Sequence, residues 1–202
     1  MGNYTGPKVR LSRRLGVAIA ETAKHLNPRR PNRPGAHGFR RPRPTLYGRQ
    51  LAEKQKLAFY YNLRDKQLRR YIAAAARSRK DTVAAIQELL ETRLDNVVRR
   101  LGWARTIWQA RQAVVHGHFL VNGRKTDRPS YNVRPEDVIT VRDRSKKFVQ
   151  NCAETCEGPL PPEWLVVTEN KLEGKVTRMP TIEDVRLPFE VEYGLVIEYY
   201  TR

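Results

Sequence analysis

Nowhere in its 202 residues does this sequence hold an apolar run of about 18, the length a helix needs to cross a bilayer. The opening MGNYTGPKVRLSRRLG has no apolar stretch of signal-peptide length, so the chain is expected in the cytoplasm with no membrane partner. Gly6 stands where an N-myristoylation motif wants Ser or Thr. Cysteine is scarce. Cys152 and Cys156 sit in NCAETCEGPLPP with no histidine near, which reads as reduced thiols rather than a metal site. The histidines (His25, His37, His116 and His118) lie in two regions, and HGH at 116–118 lacks further ligands in sequence. The last 60 residues contain no Gly-rich phosphate loop, no metal spacing and no triad-like set. Catalysis, cofactor and metal are therefore not expected.

Acidic residues are the other shortage. The chain has 39 Lys and Arg against 21 Asp and Glu, a net charge of +18. A soluble protein gains nothing from that much self-repulsion, so a polyanionic partner is the economical explanation. The excess is uneven. Residues 1–70 hold 18 basic against 3 acidic residues, 71–151 hold 16 against 8, and 152–202 hold 5 against 10. The anion-binding surface should thus lie in the first three quarters, with the acidic C-terminal quarter facing solvent or a basic protein.

Residues 24–44, KHLNPRRPNRPGAHGFRRPRP, interleave five prolines with six arginines, and no acid falls between Glu21 and Glu53. Such a segment buries too little to order alone and is expected to order against phosphate. From Thr45 the spacing becomes helical, over Leu46–Tyr61, Arg64–Arg79 and, after an Asp81 cap, Thr82–Thr92. The polar faces are rich in Lys54, Lys56, Arg64, Lys66, Arg69 and Arg70. RLDNVVRRLG then predicts a helix with Leu94, Val97, Val98 and Leu101 inside, stopped by Gly102. Thr106, with Gln109 three residues on, opens a second helix whose inner face is Ala110, Ala113 and Val114 and which ends at Gly117. In FLVNGRKT, Asn122-Gly123 between apolar runs predicts a hairpin. Val138–Arg142, Trp164–Thr168 and Glu173–Arg178 are further strand candidates. A charged, Pro-rich stretch fills 143–162, and LVIEYYTR fits either a strand or a short packed helix.

Helix–turn–helix followed by sheet could read DNA. Ile107, Trp108 and Gln109, which open the second helix, are poor probes of base edges. The basic residues Arg93, Arg99, Arg100, Arg105 and Arg111 instead lie where a phosphate backbone would run, which suits folded RNA. The histidine pair at 116–118 then reads as internally satisfied or RNA-facing.

RLDNVVRRLGWARTIWQARQAVVHGHFLVNGRKTD resembles the RNA-binding module named after small-subunit ribosomal protein four. RPGAHGFRRPRPTLYGRQLAEKQK and QLRRY upstream, and LVIEYYTR at the end, resemble the bacterial form of that family over nearly the whole chain. The resemblance implies a structural constituent of the small ribosomal subunit that binds its RNA at a multi-helix junction early in assembly. It also implies contact with ribosomal protein five and other small-subunit proteins, proximity to messenger RNA where it enters the subunit, a part in decoding accuracy, and in some members repression of their own translation. The same module decorates enzymes such as pseudouridine synthases, which need a catalytic domain absent here. A free RNA chaperone is the remaining alternative.

Carried over by position, the module's candidates for RNA contact are Arg93, Asp95, Arg99, Arg105, Arg111, Gln112, His116, Asn122, Gly123 and Lys125. Asp95 and Gln112 are equally suited to ordering neighbouring arginines, and Gly123 to the turn alone. Arg100 joins them from the same helix, and Arg40, Arg41, Arg43, Arg49, Lys54, Lys56, Arg69 and Arg70 from the basic N-terminal half. Two features depart from the family. The N-terminal cysteines that bind zinc in many members are missing, and Ile107 follows the helix-opening Thr where members usually carry Arg, leaving Arg105 to compensate. The expected fold is α+β: a basic extension (1–44), a helical domain (45–92, with 192–202 packing back), an inserted module of two helices and a small antiparallel sheet (93–156), and a strand-rich continuation (157–191).

Overall fold

The computed structural model describes residues 4, 6–20, 22–27, 29, 32–40, 43–155 (backbone alone at 153–155) and 161–201. Arg41 and Cys156 lie outside the described residues. Along the chain run α1 (Lys8–Leu15), α2 (Ala23–Leu26), α3 (Leu46–Tyr60), α4 (Asp65–Ala76), α5 (Thr82–Glu91), α6 (Leu94–Arg100) and α7 (Ile107–Val115). The strands are β1 (Phe119–Val121), β2 (Arg124–Lys125), β3 (Val138–Val141), β4 (Leu165–Val167) and β5 (Glu173–Val176). Helix α8 (Lys146–Thr155) falls between β3 and β4, and α9 (Tyr193–Thr201) ends the chain. The α+β class expected from the sequence is what forms. The chain divides into two compact units, Met1–Val83 with Leu187–Arg202, and Ala84–Arg186.

In the first unit, the Thr45 hydroxyl accepts from Gly48 N–H (3.1 Å) and starts α3. Ala58, Tyr61, Leu68, Ile72 and Ala75 are buried at helical spacing, and Leu57 and Tyr60, which the sequence reading did not single out, are buried with them while Tyr47 is exposed. Residues 8–20 and 22–26 correct one expectation. They are folded rather than part of an extension without a core: Leu11, Ile19 and Ala20 are buried and α1 packs on α3. Ser12 Oγ meets His25 Nδ1 at 2.6 Å and accepts from Ile19 N–H at 3.2 Å, so the segment has both an apolar anchor and an internal polar tie. The ending LVIEYYT, up to Thr201, is helical. Val196 is buried as α9 lies along α3, Gln50 Nε2 donates to Glu198 Oε2 (2.9 Å), and Glu192 N–H donates to Glu53 Oε2 (3.2 Å).

The second unit is built on an antiparallel sheet ordered β2-β1-β3-β5-β4. Asn122 (φ 49°) and Gly123 (φ 77°) supply the two left-handed positions that the β1–β2 turn requires. Leu94, Val97, Val98 and Leu101 of the first module helix and Ala110, Ala113 and Val114 of the second meet Phe119, Val121, Ile139, Val141, Trp164 and Val176 in one core. Trp103 stacks on Phe119 with centroids 5.6 Å apart. At Gly174 a Cβ would stand 2.7 Å from Leu101 Cδ2, so only glycine lets β5 approach α6 this closely.

Two further differences have local causes. The stretch after β3 forms a 3₁₀ turn at Asp143–Ser145 and then α8, because Ser145, Val149 and Cys152 recur at helical spacing and are buried. The border between units falls at Val83/Ala84 rather than after Thr92. The reason is polar: Glu91 of α5 binds Arg100 and Asn96, and Asn132 Nδ2 donates to Leu89 O and Thr92 Oγ1, tying α5 to the module.

Candidate nucleic-acid interface

Helix α6 begins where Arg93 forms an isolated bridge with Asn132, and Leu94 N–H donates to Tyr131 O (2.8 Å). That anchorage turns three of the candidate residues inward. Arg93 and Asp95 are 0 % exposed and Arg100 is 7 % exposed. Arg93 holds Asp95 through Nε–Oδ1 (3.0 Å) and Nη2–Oδ2 (2.7 Å). Arg100 holds Glu91 through Nε–Oε2 (3.0 Å) and Nη2–Oε1 (2.9 Å), and Asn96 Nδ2 donates to the same Glu91 Oε2 (2.8 Å). Burial raises the Asp95 carboxyl above its ordinary range, against the pull of the Arg93 and Arg111 charges. Arg93 and Arg100 are therefore core ion-pair residues, a correction to their reading as direct RNA contacts, while Asp95 takes the other role open to it and orders Arg93 and Arg111.

The remaining module candidates face outward. Arg105 is exposed in the inter-helix turn, where its backbone N–H donates to Gln109 Oε1 (3.0 Å). The Thr106 side chain accepts from Gln109 N–H (3.3 Å), capping α7. Ile107 beside it is 2 % exposed and belongs to the core, which is why this position is apolar. Arg111 is half-buried, with Nη1 3.5 Å from Asp95 Oδ2. Gln112 on α7 and His116, which caps its C-terminus, are exposed about one helical turn apart. Lys125 lies over the end of that helix, since a Cβ on Gly117 would meet its Cε. Arg99 is partly buried, and its Nη2 donates to Asn96 Oδ1 (2.9 Å). Asn122 and Gly123 serve the turn: Asn122 Nδ2 donates to Asp137 Oδ1 (2.7 Å), and Val138 N–H donates to Asn122 Oδ1 (2.8 Å).

The electrostatic result follows from which charges go inside. Between Glu91 and Thr126 the chain has only two acids, Glu91 and Asp95, and both are buried. The solvent side of this segment carries Arg105, His116, Arg124 and Lys125, with Arg99 and Arg111 partly shown, and no carboxylate. An anion meets attraction there, with the next acid along the chain, the exposed Asp127, just beyond the segment.

The first unit contributes a separate set. Arg40, Arg43, Arg49, Arg69 and Arg70 are exposed, Arg49 standing 3.6 Å from Glu192 and Arg69 lying over the Tyr200 ring at 5.9 Å. Lys54 and Lys56 are corrections. Lys54 is mostly buried against Asp65 (2.5 Å) and the Tyr199 ring (5.1 Å), and Lys56 is bound to Glu53 (2.6 Å). Their charges bind partners inside the unit: Asp65 of α4 is set beside Lys54 by folding, and Glu53 stands three residues before Lys56 on α3.

Sequence reasoning missed Glu91 and Asn96, the residues that draw arginines inward. A carboxylate nine positions before Arg100 and in another helix leaves no periodic signal. It also missed the surroundings of His118, whose Nδ1 meets Ser145 Oγ at 2.8 Å. Burial, with His116, Arg144 and Arg142 nearby, lowers the His118 pKa below its ordinary value. Among the described residues no three His, Cys, Asp or Glu side chains are grouped to hold a metal ion, and no helix is long and apolar enough to cross a membrane.

Comparison with known proteins places similar sequences beside this geometry. Residues 3–91 match the family described as the ribosomal protein S4/S9 N-terminal domain, and residues 92–139 match the S4 domain. The chain is 45 % identical over 206 residues to the small ribosomal subunit protein uS4 of Akkermansia muciniphila, covering 100 % of both chains. It is 45 % identical over 204 residues to the Leuconostoc citreum uS4 (100 % of this chain, 99 % of that one). The Aquifex aeolicus uS4 is 42 % identical over 212 residues, again with full coverage of both.

Proposed function

The chain belongs to the uS4 family of small ribosomal subunit proteins, and from that premise we propose that its outward surface on α6, α7 and the β1–β2 turn is where it grips small-subunit ribosomal RNA. It is a structural, non-enzymatic constituent of the cytoplasmic ribosome. The observation that carries the site is the sorting of charge: over residues 91–126 every acid is inside, while Arg105, Arg124 and Lys125 stay out. Contacts of this kind read phosphate and shape rather than base identity.

The proposal extends to a multi-helix junction of that RNA, whose clustered phosphates suit a compact cationic surface, and to an early role in assembling the subunit. Arg40, Arg43 and Arg49 form a second cationic set in the first unit, suited to further RNA, including messenger RNA where it enters the subunit. The acidic excess of residues 152–202 supports contact with ribosomal protein five as a basic neighbour, and through it a part in decoding accuracy. A free copy would apply the same surface to folded messenger RNA and so repress its own translation.

The test is the affinity of the purified chain for the 5′ region of small-subunit ribosomal RNA against a plain RNA duplex of equal length, with sedimentation of the endogenous protein alongside. Tighter binding to the folded fragment and co-sedimentation with the small subunit are expected. Equal affinity for both RNAs would overturn the junction reading, and sedimentation apart from the subunit would favour a free chaperone.

A further inference from the structure

One aromatic pair lies outside the surface described above. Ser145 just before α8, and Val149 and Cys152 on it, are the buried positions here, while Phe148 remains 39 % exposed. Its ring stacks on His118 with centroids 5.2 Å apart and planes 25° apart. His118 is itself held in place. Ser145 Oγ lies 2.8 Å from its Nδ1, and Arg142 N–H donates to its backbone O at 3.0 Å. The Arg142 guanidinium is fixed beside it by donation from Nη1 to Gly117 O (3.2 Å).

Charge around the pair is mostly positive. From Val138 to Cys152 there are four cations, Arg142, Arg144, Lys146 and Lys147, and one acid, Asp143, which is bound to Lys146 Nζ at 2.7 Å. A flat exposed ring backed by a second ring and bordered by cations matches what unpaired nucleotides require: a face to stack on and charge for the phosphates on either side. An apolar protein segment would find the ring but would have to cover four cations.

We propose that Phe148, backed by His118, is a stacking shelf for an unpaired base of RNA, with Arg142, Arg144, Lys146 and Lys147 taking the adjoining phosphates. The shelf rests on the reading that the chain binds RNA, and it adds a single-stranded contact to a surface otherwise suited to phosphate and shape. Neutral imidazole is the form the site favours, because burial and the neighbouring cations lower the His118 pKa. Duplex RNA keeps its base faces stacked on one another, so the occupant is a bulged, looped or terminal nucleotide.

The experiment compares the full chain with F148A, F148L and F148Y on three RNAs: an oligoadenylate of about ten nucleotides, an abasic ribose-phosphate strand of the same length, and the small-subunit 5′ fragment. F148A and F148L should weaken oligoadenylate binding by roughly 5- to 100-fold, the range of one lost base–aromatic stack. F148Y should stay near wild type, and the abasic strand should bind all four chains alike. Leu keeps the apolar bulk, so a fault in folding would appear as equal losses on every RNA. F148L at wild-type strength on oligoadenylate, equal losses on the abasic strand, or no wild-type preference for oligoadenylate over the abasic strand would each overturn the shelf. Failure of the unaltered chain to bind the 5′ fragment would instead overturn the ribosomal RNA site proposed above.

Discussion

Arg93 and Asp95 form a two-pronged ion pair inside the module, with Nε–Oδ1 at 3.0 Å and Nη2–Oδ2 at 2.7 Å, neither residue reaching solvent. The pair stands at the start of α6 and reaches Arg111 of α7 through Asp95 Oδ2, the oxygen that Arg93 Nη2 also binds (3.5 Å). It positions the outward arginine and does not itself present charge to a ligand. Removing one partner strands a buried charge. D95A should therefore cost about 3–5 kcal/mol of stability, while R93M combined with D95L should recover most of it. Thermal and denaturant melting of the three chains tests this, and a near-neutral D95A would show the pair to be dispensable.

Reversing exposed charge should separate binding from folding. R105E with K125E touches no core residue, so stability should change by only about 0.5 kcal/mol per site. Affinity for the small-subunit RNA fragment should nevertheless collapse, whereas E169K with E173K, both exposed in the acidic quarter, should leave it unchanged or tighter. A double reversal that melts normally and binds at full strength would remove the module surface from the RNA site.

Salt gives an independent reading of the same interface. If about six or more phosphates are neutralised, affinity should fall by roughly a thousandfold between 50 and 200 mM monovalent salt. A flat titration would exclude phosphate contact as the main source of binding.

The N-terminal segment should behave as part of the first unit. Ile19 is 1 % exposed, so I19A should destabilise by about 2–5 kcal/mol. S12A, which takes the hydroxyl from His25 and Ile19, should cost about 1–3 kcal/mol. Deleting residues 1–26 should likewise lower the melting temperature, and an unchanged melt after deletion would return the segment to a mere appendage.

Two histidines set the sign of the acid response. Burial, then the Lys8 charge, lowers the His25 pKa below its ordinary 6.5, and burial with His116, Arg144 and Arg142 lowers that of His118. On acidification the unfolded chain takes up these protons first, so stability is fully present above about pH 6.5 and is lost as pH falls through the lower folded values. Denaturation midpoints across this range should decline toward acid in the wild type and decline less in a chain carrying H25Q and H118Q. A wild-type midpoint that rises toward acid would contradict the burial of both rings.

Much of the fold is written in local signals. Thr45 and Thr106 announce helix starts through hydroxyls that accept from the backbone three residues on, and Asn122-Gly123 announces a hairpin because both residues tolerate positive φ. Leu94, Val97, Val98 and Leu101 mark an inner helical face by spacing alone. Where local signals were balanced, as in LVIEYYTR, the α3 surface that covers Val196 decided for helix. Residues 8–26 looked like a charged extension because their anchors, Leu11 and Ile19, are few and far apart in sequence.

The site divides along the same line. Sequence by itself determined that the chain is strongly cationic, where those cations lie and which family the module resembles. It could not distinguish Arg93 and Arg100 from Arg99 and Arg105, since all four are arginines in or beside two short helices. Tertiary structure decided that, because a guanidinium can leave water only where a carboxylate and further hydrogen-bond partners meet it. Asp95 meets Arg93 in this way and Glu91 meets Arg100, while among the described residues no carboxylate pairs with Arg105, which stays in solvent.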